Sequence, residues 1–453
     1  MMYGRAKQLG QASLVLLALV LLFSVTVNSQ QRTSARQAKQ HYEEGVQLLA
    51  RGDLDGAIES FKKAISLAPK DGQAHAYLGY ALGVKGQLAD AIAELQKAIS
   101  LNPELGEAHY YLGAARWFSK DVEGAIAALR DAVRLMPQHA NAHYYLGLSL
   151  QKTGDLDEAI DAFRAAIKLQ PNMLPAYNDL GLALMQKRDA DGAIAAFSEA
   201  LKLDSGNMVA QLNLGMVLIQ KGDYAAAVDQ YRRIIVQAPE SAEAHYNLGL
   251  ALKQKDELAD AEVELRKAIE LQPRLHEAHY ILGAILMQQS KLEAAAAALK
   301  RAVEVKPDYA EAHFALGTVM QQQGNFAGAV AALRQALVHA PNAPEIHNAL
   351  GSALRQTGDI ESARVEFQEA ARLNKIKSNQ QAAMFATNTG IAKLKAGNVD
   401  EAIETLQRAV QLDPTNAQAY YNLAKALQKK GQTAAARTAE QKARELEATK
   451  RHK

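Results

Sequence analysis

The 453-residue chain carries 51 Lys+Arg against 49 Asp+Glu, a formal charge of +2, with 49% hydrophobic residues and no cysteine. The missing thiols exclude disulfide scaffolds, thiolate metal centres and a cysteine nucleophile. The near-even charge balance offers no basic footprint for nucleic acid, and the apolar half of the composition is ample for a core.

The chain opens with Arg5 and Lys7 ahead of an apolar run from Leu14 to Val27. That run has the length of a signal-peptide core, roughly 7–15 residues, and falls short of the roughly 20 that span a bilayer. Val27 and Ser29 are small residues three and one places before a cleavage point that leaves Gln30 first. Residues 1–29 are therefore read as an export signal, which predicts a periplasmic or secreted protein. The competing reading keeps Leu9–Val27 as an uncleaved anchor, so that the chain faces the periplasm from the inner membrane. Residues 30–37 read as a linker.

From residue 38 the chain is periodic. Gly45, Gly79, Gly113, Gly147, Gly181, Gly215, Gly249, Gly283, Gly317 and Gly351 recur every 34 residues. With these glycines at position 8, position 20 is Ala in every unit, and position 27 is Ala except for Ile234. Position 32 is Pro at 69, 103, 137, 171, 239, 273, 307 and 341. Apolar residues at positions 3, 7, 10 and 11 and again at 20, 21, 24, 27 and 28 have helical spacing, so each unit predicts two helices. Glycine at position 15 suits the left-handed residue that ends the first, and the proline stops the second. Ten such units fill residues 38–377. Residues 378–382 are an insertion, where Lys375 replaces the usual proline and a lengthened helix is expected, read either as a hinge or as a plain elongation. Two further units fill 383–450, the last with Ala424 in the glycine position and a polar outer face on its final helix. Residues 451–453 are a basic tail. One helix pair cannot bury its apolar face alone, so the units must stack.

The pattern, seen most plainly in the run from Ala244 through His245, Tyr246, Asn247 and Leu248 to Gly249 with Ala261, Leu265, Ala268 and Pro273 behind it, resembles the tetratricopeptide repeat family. The resemblance covers nearly all of residues 38–450. It implies an all-α fold, an α-solenoid of stacked antiparallel helix pairs wound into a right-handed superhelix. It also implies that the first helices line a concave groove and that the groove binds proteins, as peptides or helices.

If the first helices line that groove, positions 2, 5, 9 and 12 form one stripe, with position 6 beside it. The stripe carries Tyr110, Tyr111, Trp117, Tyr144, Tyr145, Leu148, Leu182, Met185, Met216, Ile219, Tyr246, Leu250, Tyr280, Met287 and Phe314. Aromatic rings supply contact area with polar tips, and methionines adapt to varied partners. The stripe therefore predicts a partner with apolar anchors, against the alternative that the tyrosines merely pack between repeats. Asn178, Asn213 and Asn247 can hydrogen-bond a peptide backbone. Glu243, Glu277 and Glu311 form a line of carboxylates that favours basic segments of the partner, or else simply complements the helix N-termini.

Eight histidines sit at position 4, among them His75, His109 and His245. Packed helices lie roughly 8–10 Å apart, too far for equivalent side chains to share one ion at about 2.1 Å per ligand. They are read as packing residues, and no metal or cofactor is expected. With no phosphate-binding loop, no nucleophile elbow and every residue allotted to repeats, no catalytic role is predicted. The sequence thus predicts an exported scaffold or adaptor for protein–protein interaction in an envelope complex, with a membrane-tethered assembly factor and a docking subunit of a separate enzyme as alternatives.

Overall fold

The computed structural model describes residues 33–451. The export segment, its cleavage point and the last residues of the basic tail lie outside the described residues. Among the described residues there is helix and turn but no strand, and no helix is long and apolar enough to cross a membrane. Residues 33–37 of the expected linker are helical and belong to the first described helix. Two compact units follow, one ending at Pro239 and one beginning at Glu240.

Each repeat is a hairpin of two helices, as in Gly106–Phe118 followed by Val122–Leu135. The turn inside it is made by the position-15 residue in the left-handed region, for example Gly154 at φ 90° and Gly222 at φ 84°. The next residue caps the second helix. Asp121 accepts from the Gly124 N–H at 3.0 Å, and Asp189 does the same from Gly192 at 3.0 Å.

The hairpin closes because position 8 has no side chain. A Cβ added at Gly113 would sit 2.4 Å from Cγ of Leu129, and one at Gly147 would lie 2.7 Å from the Phe163 ring. Leu129 and Phe163, both at position 24, are fully buried, as are Ala125 and Ala159 at position 20. The last repeat obeys the same rule in reverse. Its position 24 is Glu440, which does not fill the gap between helices, and there position 8 is Ala424.

Repeats join through position 3. In eight successive repeats, from Ala74 to Ala312, this residue is a fully buried alanine. Within each unit it is small because the preceding repeat packs against it. The second unit departs from this at the insertion. The proline turn is missing there, and residues Ile360–Lys395 form one 36-residue helix. Position 3 of the following repeat is Phe385, 74% exposed, so no preceding helix pair covers it. That repeat and the last one have their own core, which includes Leu394, Leu406, Leu423 and Leu427.

Candidate partner-binding face

Within the first unit, the aromatic residues of the first helices touch from repeat to repeat. Tyr42 and Tyr77 have ring centroids 5.5 Å apart, Tyr80 and Tyr111 4.6 Å, Tyr110 and Tyr111 5.3 Å, Tyr110 and Tyr145 6.2 Å, and Tyr144 and Tyr145 5.6 Å. Trp117, Leu148, Leu182 and Met185 continue the surface as half-buried side chains resting on the core below. Met216 is exposed and Ile219 half-buried. All of these predicted residues therefore combine an anchored base with an accessible face.

Burial makes the phenolate unfavourable along this row. The Tyr110 phenol is pushed up to about 12, and Tyr111 and Tyr144 are pushed higher still. For Tyr144 the Asp179 carboxylate adds to the effect, since the phenol donates to Asp179 Oδ2 at 2.8 Å. The row is thus a neutral donor surface at physiological pH.

The second unit carries a smaller version. Tyr246, Leu250, Met287 and Phe314 are half-buried. Tyr280 lies 5.2 Å from Tyr309, a turn residue over which the Lys306 ammonium sits at 5.2 Å. Glu243 and Glu311 are exposed, and Glu277 is half-buried with the His276 ring 3.0 Å from its carboxylate. Each of the three lies in the first turn of its helix.

The asparagine ladder does not form as expected. Asn247 is buried, as is Asn422, whose Nδ2 donates to the Gln418 carbonyl at 2.8 Å. Both side chains are therefore turned away from the open face. Asn213 stays half-exposed. Asn178 faces Asn207 at 3.4 Å with its own Oδ1 buried and unsatisfied.

The histidines have a structural role that the spacing did not reveal. His109, His143, His279 and His313 each donate from Nε2 to the carbonyl of the proline six residues earlier, at 2.9–3.0 Å. That proline ends the preceding repeat, so the ring clips two repeats together. In His75 and His347 the ring Nδ1 also lies 2.6 Å from Glu94 and Glu366 respectively. Among the described residues no group of three or more acidic or histidine side chains is placed to hold a metal ion.

Three further residues contribute to the surface, Tyr80 and Gly83 on the stripe at positions 9 and 12 and Phe118 beside it at position 13. Tyr80 and Phe118 are exposed rings adjoining Tyr111 and Tyr145, and Gly83 opens the floor between them. Their signal was present as a departure from the repeat itself. Position 13 is Gln or Lys in most units but Val84 and Phe118 in two neighbours.

A family described as Tetratricopeptide repeat matches residues 42–105, 80–140, 112–173, 144–207, 178–241, 212–276 and 314–380. A family described as TPR repeat matches 283–324 and 390–431, and a further Tetratricopeptide repeat family matches 417–449. No curated protein matches the chain. Among solved structures, one of MamA is 32% identical over 37% of this chain and 92% of its own, with a TM-score of 0.34. A structure of YrrB, described as a TPR protein with an unusual peptide-binding site, is 26% identical over 41% of this chain and 95% of its own, at 0.37. The pilF protein of Pseudomonas aeruginosa is 19% identical over 47% and 96%, at 0.41.

Proposed function

The chain belongs to the tetratricopeptide repeat family, and from that premise we propose that it is an exported, non-catalytic scaffold that holds protein partners in assembling an envelope complex. The family supports the coarser part directly, since stacked repeats of this kind are protein–protein interaction scaffolds. The observation that supports the placement of the binding face is the row of half-buried aromatic and aliphatic side chains on the first helices of the first unit, Tyr110, Tyr144, Tyr145, Trp117, Leu148 and Met185. Such side chains are held in place by the core, so ordering them on binding costs little entropy, and aromatic anchors dominate binding energy at interfaces. The partner binds as an extended segment or helix with apolar anchors, and the unpaired carboxylates of Glu243 and Glu311 favour basic residues beside them.

Export rests on the charged start and apolar run of residues 5–27. Intact mass and fractionation decide it. A mature chain beginning at Gln30 in the soluble extracytoplasmic pool fits a free scaffold, whereas the full-length mass in the membrane pool replaces that reading with a tethered assembly factor.

The binding face is tested by the double substitution Trp117→Ala with Tyr144→Ala, judged by quantitative cross-linking to partners in the native envelope. Loss of specific cross-links with the helical signal retained is the expected result. Unchanged cross-links on a folded variant remove the first unit's face as the site.

A further inference from the structure

The first unit departs from its own repeat pattern at four neighbouring places, and the departures converge. Position 9 is Tyr80, position 12 is Gly83, and position 13 is Val84 in one repeat and Phe118 in the next. Elsewhere position 12 is a large side chain such as Leu49, Trp117, Met185, Ile219 or Met287. Glycine at 83 leaves a cleft of about 260 Å³ whose wall is formed by Tyr80, Tyr110, Tyr111, Phe118 and Tyr145. Tyr80 is 38% and Phe118 60% exposed, so five rings surround a space open to solvent.

No charged residue lines this cleft. Glu107, in the first turn of helix Gly106–Phe118, acts on the phenols of both Tyr77 and Tyr111 and has no ion-pair partner among the described residues. Aromatic faces carry negative potential and attract cations, most strongly where water is excluded. Elsewhere in the molecule rings already hold one: the Lys425 ammonium lies 4.3 Å from the exposed Tyr421 ring and Lys306 5.2 Å from the half-buried Tyr309 ring. Arg116, from the same helix, is committed to the Gly124 carbonyl at 3.1 Å.

We infer that this cleft is a cation-binding pocket that takes the arginine or lysine side chain of a partner segment, the aliphatic stem against Val84 and Leu88 and the charged tip among the rings on the side of Glu107. A purely aliphatic anchor would fill the same space but leave the ring faces and the carboxylate unanswered. The pocket rests on the reading of the first-helix face as the partner site and names the side chain that the partner must bring there.

The test uses the purified chain and three end-blocked pentapeptides, glycines flanking a central arginine, citrulline or norleucine, followed by ligand-observed NMR titration. Citrulline keeps the shape of arginine without the charge, and norleucine keeps only the stem. The arginine peptide is expected to bind saturably and about tenfold more tightly than either control, a ratio within the range of a partly desolvated cation–ring contact. Glu107→Gln should weaken the arginine peptide severalfold and leave norleucine unchanged. Gly83→Met should abolish binding of the arginine peptide. A Cβ at residue 83 meets only the Ala91 Cβ at 3.7 Å, and methionine is a better helix former than glycine, so that variant fills the pocket without threatening the fold. Equal binding of all three peptides, tighter binding of norleucine, absence of saturable binding, or arginine binding that survives Gly83→Met each overturns the pocket. Cross-links that depend on Trp117 and Tyr144 while the peptides fail would remove the pocket alone and leave the scaffold reading in place.

Discussion

Among the described residues, eight glycines and four other residues end a first helix with positive φ, and the four exceptions are Lys120, Arg188, Asp256 and Ser290. A side chain in the left-handed region crowds its own carbonyl, at a cost of about 1–2 kcal/mol that glycine avoids. Glycine returns part of that gain as greater freedom in the unfolded chain. Arg188→Gly and Lys120→Gly are therefore each expected to raise the free energy of unfolding by about 0.5–1 kcal/mol, read as a higher urea midpoint at unchanged slope. The opposite sign belongs to position 8. In Gly113→Ala the new methyl meets the branch carbon of Leu129 at 2.4 Å, inside a core with no slack. Overpacking of this kind costs about 1–3 kcal/mol. Ala424→Gly, in a core whose facing residues include the small Ala436 and Ala439, should lose about 1 kcal/mol, mainly the ordinary propensity difference. Equal losses at 113 and 424 in the same melt would contradict the close-approach explanation.

At the scale of the element, the tyrosine row makes the first repeats sensitive to alkali. A phenol raised on folding stabilises the native state below its unfolded value and stops doing so as pH climbs through the folded one. For Tyr110 that window runs from 10.0 to about 12, and Tyr42, Tyr111 and Tyr144 are shifted in the same direction by burial. Stability should therefore be flat below pH 10 and fall above it, with tyrosinate absorbance and loss of helix rising together. Tyrosinate appearing well before any helix is lost would place these phenols in water. The 36-residue helix Ile360–Lys395 makes a different prediction. It contains Lys375 where most repeats have proline, so the backbone N–H there is free to continue the ladder. Lys375→Pro should remove that bond and clash with the preceding turn, at a local cost of about 3 kcal/mol or more. The expected readout is hydrogen exchange that accelerates around residues 371–379 while the helices before and after keep their protection.

At the scale of the whole molecule, two units in each of which successive repeats pack on one another should spread damage only over short distances. Gly113→Ala should raise hydrogen exchange in the repeats on either side of it and leave residues 399–451 as they were, since those helices have a core of their own. A uniform rise along the chain would mean that the array unfolds as one cooperative body. Ion pairs between successive repeats follow the same local logic. Asp191 and Lys221 meet at 2.7 Å and Asp400 and Lys430 at 2.5 Å, with equivalent pairs at Asp55–Lys85 and Asp157–Lys187. All are solvent-screened, so they mark register more than they add strength.

What the sequence determined by itself is the part that repeats. A glycine, two alanines and a proline recurring every 34 residues are close-approach and chain-ending requirements, and sterics of that kind are local enough to be read from spacing. The helix pairs, their boundaries, the position-15 turns and the need to stack were all legible for this reason. The aromatic row at Tyr110, Tyr144 and Tyr145 was legible too, because it shares the same period. Only the tertiary structure decided which polar residues turn inward, burying Asn247 and Asn422, and which partners the histidines clip. It also decided that Phe385 is left uncovered beside the lengthened helix, and that Tyr80, Gly83, Val84 and Phe118 enclose one cleft. Each of these depends on which side chains from different repeats come within a few ångströms of one another, and periodicity averages out the departures that make one repeat's surface unlike the next.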